Sequence, residues 1–115
     1  MSNYASGHYA EQLAAEHLKS IGYRVLEINW KSRMAEIDIV AKRPDGVLVF
    51  FEVKHRKSRW QGSGLDYITP AKYNQMQFAA ELWVQINNYN GEYSLGAIEL
   101  SGSDYAITAV IDQLV

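Results

Sequence analysis

Acidic residues flank a short turn, Glu36 and Asp38 before it and Glu52 after it, and this arrangement restricts the chain more than any other feature. Ala35-Glu36-Ile37-Asp38-Ile39-Val40-Ala41 runs into Arg43-Pro44-Asp45-Gly46 and returns as Val47-Leu48-Val49-Phe50-Phe51-Glu52-Val53-Lys54. Pro-Asp-Gly suits a three-residue hairpin loop, with Pro setting φ and Gly supplying the left-handed position. That loop sets Arg43 opposite Val47, so the numbers of paired residues sum to 90. Asp38 then faces Glu52, and Glu36 faces Lys54, on one side of the ribbon. Like charges directly opposite are destabilising. A divalent cation between Asp38 and Glu52 would turn the cost into a site.

The bulk numbers limit the alternatives. A chain of 115 residues that is 48% apolar can bury one core, so a single domain over residues 1–115 is expected and disorder is not. There is no cysteine, which removes disulfides, thiol nucleophiles and cysteine-based zinc sites and suits a reducing, cytoplasmic setting. The first residues, Met1-Ser2-Asn3-Tyr4, carry neither a basic start nor an apolar run, so no secretory signal is expected. The longest purely apolar run, Val47 to Phe51, is too short to span a bilayer. Net charge is −2, but it is unevenly spread: residues 1–59 hold ten Lys/Arg against seven Asp/Glu, and residues 60–115 hold one against six. Lys54, His55, Arg56, Lys57 and Arg59 follow the acid pair directly. Such a run is either a solvated loop or a phosphate-facing patch.

Hydrophobic spacing predicts a helix over 4–21, with Tyr9, Ala10, Leu13, Ala14, His17, Leu18 and Ile21 as its apolar stripe and Gly22 as its stop. Residues 23–29 read as a strand with Tyr23 and Val25 on one side and Leu26 and Ile28 on the other. The second hairpin strand is apolar on both faces up to Glu52, which predicts a central, covered strand. Residues 55–66 read as a basic, glycine-containing loop. Thr69-Pro70 predicts an N-cap and first turn for a helix whose stripe is Tyr73 or Met76, Ala79, Leu82, Trp83 and Ile86. Two strands, about 93–100 and 105–111, close an α-β-β-β-α-β-β order.

Two carboxylates on adjacent strands suit Mg²⁺ or Mn²⁺, hard ions that take oxygen ligands and leave positions open, and Val53 could lend a backbone carbonyl. Lys54 could orient a nucleophile or offset charge on a phosphate. Glu11 is four residues beyond Gly7 and shares its helix face, which aims it either at Asp38 and Glu52 or at water. Lys72, a cation in the first turn of a helix, opposes the helix dipole, and either a phosphate partner or simple exposure would account for it. Glu36 with Lys54 could be an ordinary cross-strand ion pair. Trp60 beside Arg59 could stack on a base or join an oligomer contact. Trp30 and Trp83 are expected in the core.

The pattern Glu36-Ile-Asp38 … Phe51-Glu52-Val53-Lys54-His-Arg56 resembles the PD-(D/E)xK nuclease motif. The wider chain resembles the YraN-like bacterial family, itself similar to Holliday-junction resolvases. Gly7-x-x-Ala10-Glu11, Ala14, Leu18 and Gly22-Tyr23 carry the likeness in the first helix, Asn29-Trp30-Lys31 in the first strand, and Lys72 later on. The resemblance implies a restriction-endonuclease-like α/β core and Mg²⁺-dependent cleavage of branched or structured DNA. It also implies roles: Asp38 and Glu52 as metal ligands, Lys54 acting on the nucleophile, Glu11 as an auxiliary acid, and Arg56 and Lys72 on phosphate, with Lys57 and Arg59 in the same basic stretch. Resolvases of similar fold work as homodimers. The other reading is a binding or protein-interaction module on the same fold that has lost turnover. Two positions depart from the family pattern. Ala35 stands where glycine is usual, and Ser94-Leu95-Gly96 stands where an Arg-aromatic-Asp step is usual, which implies loss of a supporting salt bridge or phosphate contact.

Overall fold

The structure, a computed structural model, describes residues 3–57 and 66–114, with side chains from His8 onward. Arg59, Trp60 and Gly62 to Gly64 lie outside the described residues, and so does the packing of Gly7. The elements follow the expected order: α1 (Asn3–Ser20), β1 (Arg24–Lys31), β2 (Glu36–Lys42), β3 (Leu48–Arg56), α2 (Pro70–Ile86), β4 (Tyr93–Ser101) and β5 (Ala106–Ile111). They build one five-stranded mixed sheet in the order β1-β2-β3-β4-β5, antiparallel except for the β3–β4 pair. A parallel pair needs a crossover, and α2 supplies it.

The hairpin forms as its loop chemistry demands. Gly46 takes φ +93°, its N–H donates to the Arg43 carbonyl at 2.9 Å, and the Arg43 N–H donates to the Val47 carbonyl at 2.9 Å. The ladder pairs Ile39 with Phe51, Val40 with Phe50, Ala41 with Val49 and Lys42 with Leu48, each summing to 90. β3 is central and covered on both faces. On one face Ala10, Ala14, Ala15 and Leu18 of α1 pack on Ile39, Ala41, Val49 and Phe51; on the other, Met76, Ala79, Ala80 and Trp83 of α2 pack on Val40, Leu48 and Phe50. Helix ends obey their signals too. Gly22 sits at φ +97° after α1, and the Thr69 hydroxyl accepts the Lys72 N–H at 3.1 Å to cap α2.

Several local expectations are corrected. Tyr9, Ile21 and Ile86 are exposed, so the core stripe of each helix is narrower and richer in alanine than the apolar spacing suggests. Alanine lets helix and sheet approach closely. β3 continues through His55 and Arg56, which the basic composition had suggested were loop. β1 does not alternate simply. The register shifts between Val25 and Glu27, bulging Leu26 outward, so Val25 and Ile28 both join the α1-side core. An extra residue in one strand has this effect on every later side chain.

The fourth strand replaces the expected charged step with a steric one. A Cβ at Gly96 would come within 2.6 Å of the Ile111 carbonyl oxygen and 2.8 Å of side-chain atoms of Phe51 and Val49. Phe51, the largest of the fully buried side chains, therefore occupies space that any side chain at 96 would claim. Ser94 is used locally, its hydroxyl donating to the Asp112 carbonyl at 2.7 Å. Gly96→Ala is expected to destabilise the fold by about 2 kcal/mol through overpacking, measured by urea denaturation; a neutral result would mean that β5 yields freely.

Candidate functional site

Regular antiparallel pairing stops at the acids. The Arg43 N–H bond to the Val47 carbonyl sets the alternation, so the next rungs fall at 41–49, 39–51 and 37–53. The last rung is missing. The ladder ends at Ile39–Phe51, and the Val53 N–H donates at 2.7 Å to Asp38 Oδ2 instead of to a main-chain carbonyl. Glu36 and Lys54 therefore lie beyond the paired stretch.

The neighbouring strand explains why the sheet opens there. Asn29 sits opposite Asp38, between the pairs Ile28–Ile39 and Trp30–Ile37, and has φ +58°. Asparagine tolerates this left-handed conformation better than most residues. Residues two apart on a regular strand share a face, yet Ile28 and Ile39 join the α1-side core while Trp30 and Ile37 join the α2-side core. The sheet thus changes face at Asn29 and Asp38. Asn29 Nδ2 lies 3.2 Å from His8 Nε2 on α1.

At this turnover Asp38 meets an acid from α1 and lies near another on β3. The Glu11 carboxyl on α1 lies within hydrogen-bonding reach of the Asp38 carboxyl, and its Oε1 is fully buried without a hydrogen-bond partner among the described residues. Two carboxylates cannot bond unless one keeps a proton. Burial first, and then the Glu11 charge, push Asp38 up to about 7, against the pull of the Val53 N–H and Lys72. Glu11 is also raised, by burial above all. Burial and the Asp38 charge raise Glu52, which Lys72 Nζ partly neutralises at 3.0 Å. Lys72 therefore has a protein partner, Glu52, that neither simple exposure nor a phosphate anticipates.

These groups open on a cleft of about 500 Å³ whose acidic end is lined by Glu36, Asp38, Glu52 and Lys72. Lys54 is exposed two residues beyond Glu52, with Nζ 5.9 Å from the centre of the Tyr67 ring. The Tyr67 hydroxyl is buried and without a hydrogen-bond partner among the described residues, and burial, followed by the Glu52 charge, raises it well above its ordinary value. Tyr67 escaped the sequence reading because it stands in an irregular connection with no periodicity.

The basic run divides. Lys57 is exposed. Arg56 packs over the Tyr67 ring at 5.4 Å, pairs through Nε with Glu99 Oε2 at 2.7 Å, and also pairs with Asp66. Glu99 is 6% exposed and accepts a further bond from the Thr108 hydroxyl at 3.0 Å. A carboxylate within the apolar stretch Leu95 to Leu100 was the overlooked signal, since a buried charge requires a partner. His55 stacks on Tyr105 at 3.9 Å, with Nε2 2.8 Å from the Gly102 carbonyl oxygen, and serves the fold. Ala35 is not among the residues of positive φ, so the usual glycine is dispensable there.

Among the described residues, no three His, Asp or Glu side chains converge as a ready-made metal cage. The donor chemistry nevertheless suits a hard cation. Asp38 and Glu52 offer carboxylate oxygens, Val53 a carbonyl, and Mg²⁺ commonly takes only one or two carboxylates and fills its shell with water and phosphate. Negative charge at Glu11, Asp38 and Glu52 exceeds what Lys72 offsets.

A mixed α/β protein whose central hairpin opens around half-buried carboxylates is the class that fold and site define. The sequence profile of the Uncharacterised protein family UPF0102 matches residues 10–106, and the chain belongs to that family. It is 34% identical to a UPF0102 protein of Vibrio vulnificus over 108 residues, covering 90% of this chain and 88% of the relative. A UPF0102 protein of Trichlorobacter lovleyi is 42% identical over 85 residues, 74% of this chain and 67% of the relative. One of Flavobacterium johnsoniae is 34% identical over 112 residues, with 92% and 90% covered. No helix among the described residues is long and apolar enough to cross a membrane.

Two outcomes are expected. A carboxyl raised from 3.8 to about 7 adds stability that is complete at acid pH and is lost as pH rises through that window. Asp38→Asn keeps an acceptor for Val53 N–H, so in metal-free buffer it should exceed wild type by about 2 kcal/mol at pH 8 and match it near pH 3, as read by denaturation across pH. Arg56→Ala should weaken the fold itself by leaving Glu99 buried and unpaired; pairing it with Glu99→Gln should restore part of the loss in melting temperature.

Proposed function

We propose that this chain is a divalent-metal-dependent endonuclease acting in the cytoplasm on branched or structured DNA. The observation that carries the reading is the excess of half-buried carboxylate at the opening between β2 and β3, facing a cleft that also holds a lysine. Asp38 and Glu52, with the Val53 carbonyl, would hold Mg²⁺ or Mn²⁺. A cation bound there would supply Lewis acidity toward a phosphoryl oxygen. The chain's own groups do the rest. Glu11 keeps Asp38 oriented through the shared proton, and Lys54, exposed on the same strand, is placed to offset charge on the phosphate. Lys72 can pass from Glu52 to a phosphate oxygen, and the exposed Lys57 would add positive charge, with Arg59 following it in the sequence. Arg56, engaged by Glu99 and Asp66, supports this end of β3. A two-fold homodimer belongs to this reading because a four-way junction presents paired sites.

A second reading is a nucleic-acid-binding or protein-interaction module without turnover. The lack of three converging ligands among the described residues favours it. Melting curves with and without Mg²⁺ and Mn²⁺, together with cleavage of labelled junction DNA, separate the two. Wild type is expected to gain about 5 °C in millimolar Mn²⁺. Glu52→Ala should lose that gain and cut about 10²–10³-fold more slowly. Binding without cleavage in either metal would establish the second reading, and full activity in Glu52→Ala would refute the acid site.

A further inference from the structure

The cleft has a second end that the acids do not use. Its lining also includes Met34 and Phe78, together with Asn74 and Gln75. Met34 is 70% and Phe78 45% exposed, a poor use of apolar surface unless something covers it. Neither is placed loosely. The Ser32 hydroxyl accepts the N–H groups of Met34 and Ala35, each at 3.1 Å, and the Ser32 N–H donates to the Ala35 carbonyl at 2.9 Å, so a closed turn holds Met34 outward. Phe78 stands on α2 away from its core residues Met76, Ala79, Ala80 and Trp83. Its partners on that helix face are Asn74 and Gln75, four and three residues earlier, and Gln75 lies three beyond Lys72. On α2, Gln75 thus links Lys72 to the Phe78 ring, and Asn74 flanks the ring on its other side.

This combination matches one kind of group. A flat ring with donors and acceptors along its edge can lie on Phe78, touch the Met34 sulfur and be read by the amides. The adjoining cation and acids suit the phosphodiester attached to it. In a duplex the base is stacked and paired and cannot enter. With a net charge of −2, the chain also has little general attraction for a duplex backbone, so base contacts would contribute much of the affinity.

We propose that this end of the cleft receives one unpaired nucleobase, stacked on Phe78 against Met34 with its edge on Asn74 and Gln75, in the strand whose phosphate lies at Asp38 and Glu52. The inference rests on the nuclease reading and narrows its substrate to DNA with an unpaired nucleotide at the cut. Three fluorescein-labelled DNAs test it: a duplex with one unpaired thymine, the same duplex abasic at that position, and the fully paired duplex. Anisotropy titrations in Mg²⁺ and in EDTA give affinities, and gels of the Mg²⁺ samples report cutting. The unpaired thymine is expected to bind about tenfold more tightly than the abasic DNA. Phe78→Ala should bring that ratio close to one, and Phe78→Trp should keep it. Equal binding of all three DNAs, or a ratio unchanged in Phe78→Ala, overturns the inference; if those DNAs are still cut, the nuclease reading stands. Base-dependent binding without cutting supports the pocket, and absence of both binding and cutting overturns the inference; the nuclease reading is decided separately by the cleavage assay on junction DNA.

Discussion

One hydrogen bond organises the site: the Val53 N–H meets the Asp38 carboxylate where a main-chain carbonyl belongs. A buried N–H must find an acceptor, so the sheet can open at this rung only because a side chain takes over. The opening sets Asp38 against a carboxyl group from α1 and near one from β3. Had the ladder continued, the sheet would have kept Glu11 on the opposite face from Glu52. The left-handed Asn29 on the adjacent strand lets β1 follow the same change of face. Backbone strain and interrupted strand pairing therefore meet at a single position across three strands.

Below that rung the architecture is conservative. Both faces of β3 are sealed by helices, and the packing is close enough that Gly96 has no room for a methyl group. Above it the same strand carries Glu52, Lys54 and Arg56. The division between an inert half and a charged half runs along β3, not between domains or loops. Arg56 and Glu99 close the upper half by neutralising each other in a nearly dry setting.

Much of this could be read from the residues because the strongest signals were local. Pro44-Asp45-Gly46 determined the hairpin register, and Thr69-Pro70 and Gly22 set helix ends within a residue. Alternation alone failed in β1. The bulge at Leu26 and the positive φ of Asn29 are backbone events with no compositional mark beyond asparagine's tolerance for them. The grouping of Asp38 with Glu52 was visible through the register. The ties of Lys72 to Glu52 and of Arg56 to Glu99 were not, because each joins segments that only the tertiary fold brings together. Tyr67 had no periodic context to reveal it.

Chain order shapes how this charge distribution comes into being. Glu11, Asp38 and Glu52 all lie in the part of the chain that folds through neighbouring contacts, α1 and the β1-β2-β3 meander. Lys72 arrives only when the crossover helix docks, and Glu99 reaches Arg56 only when β4 adds alongside β3. Non-local pairings of this kind form late because their loops must close first. The meander therefore assembles its acids before Lys72 is at hand, and docking of α2 and β4 supplies the counter-charge to Glu52 and the Arg56–Glu99 pair together. Electrostatic relief thus rewards completion of the parallel pair, the step that chain entropy opposes most.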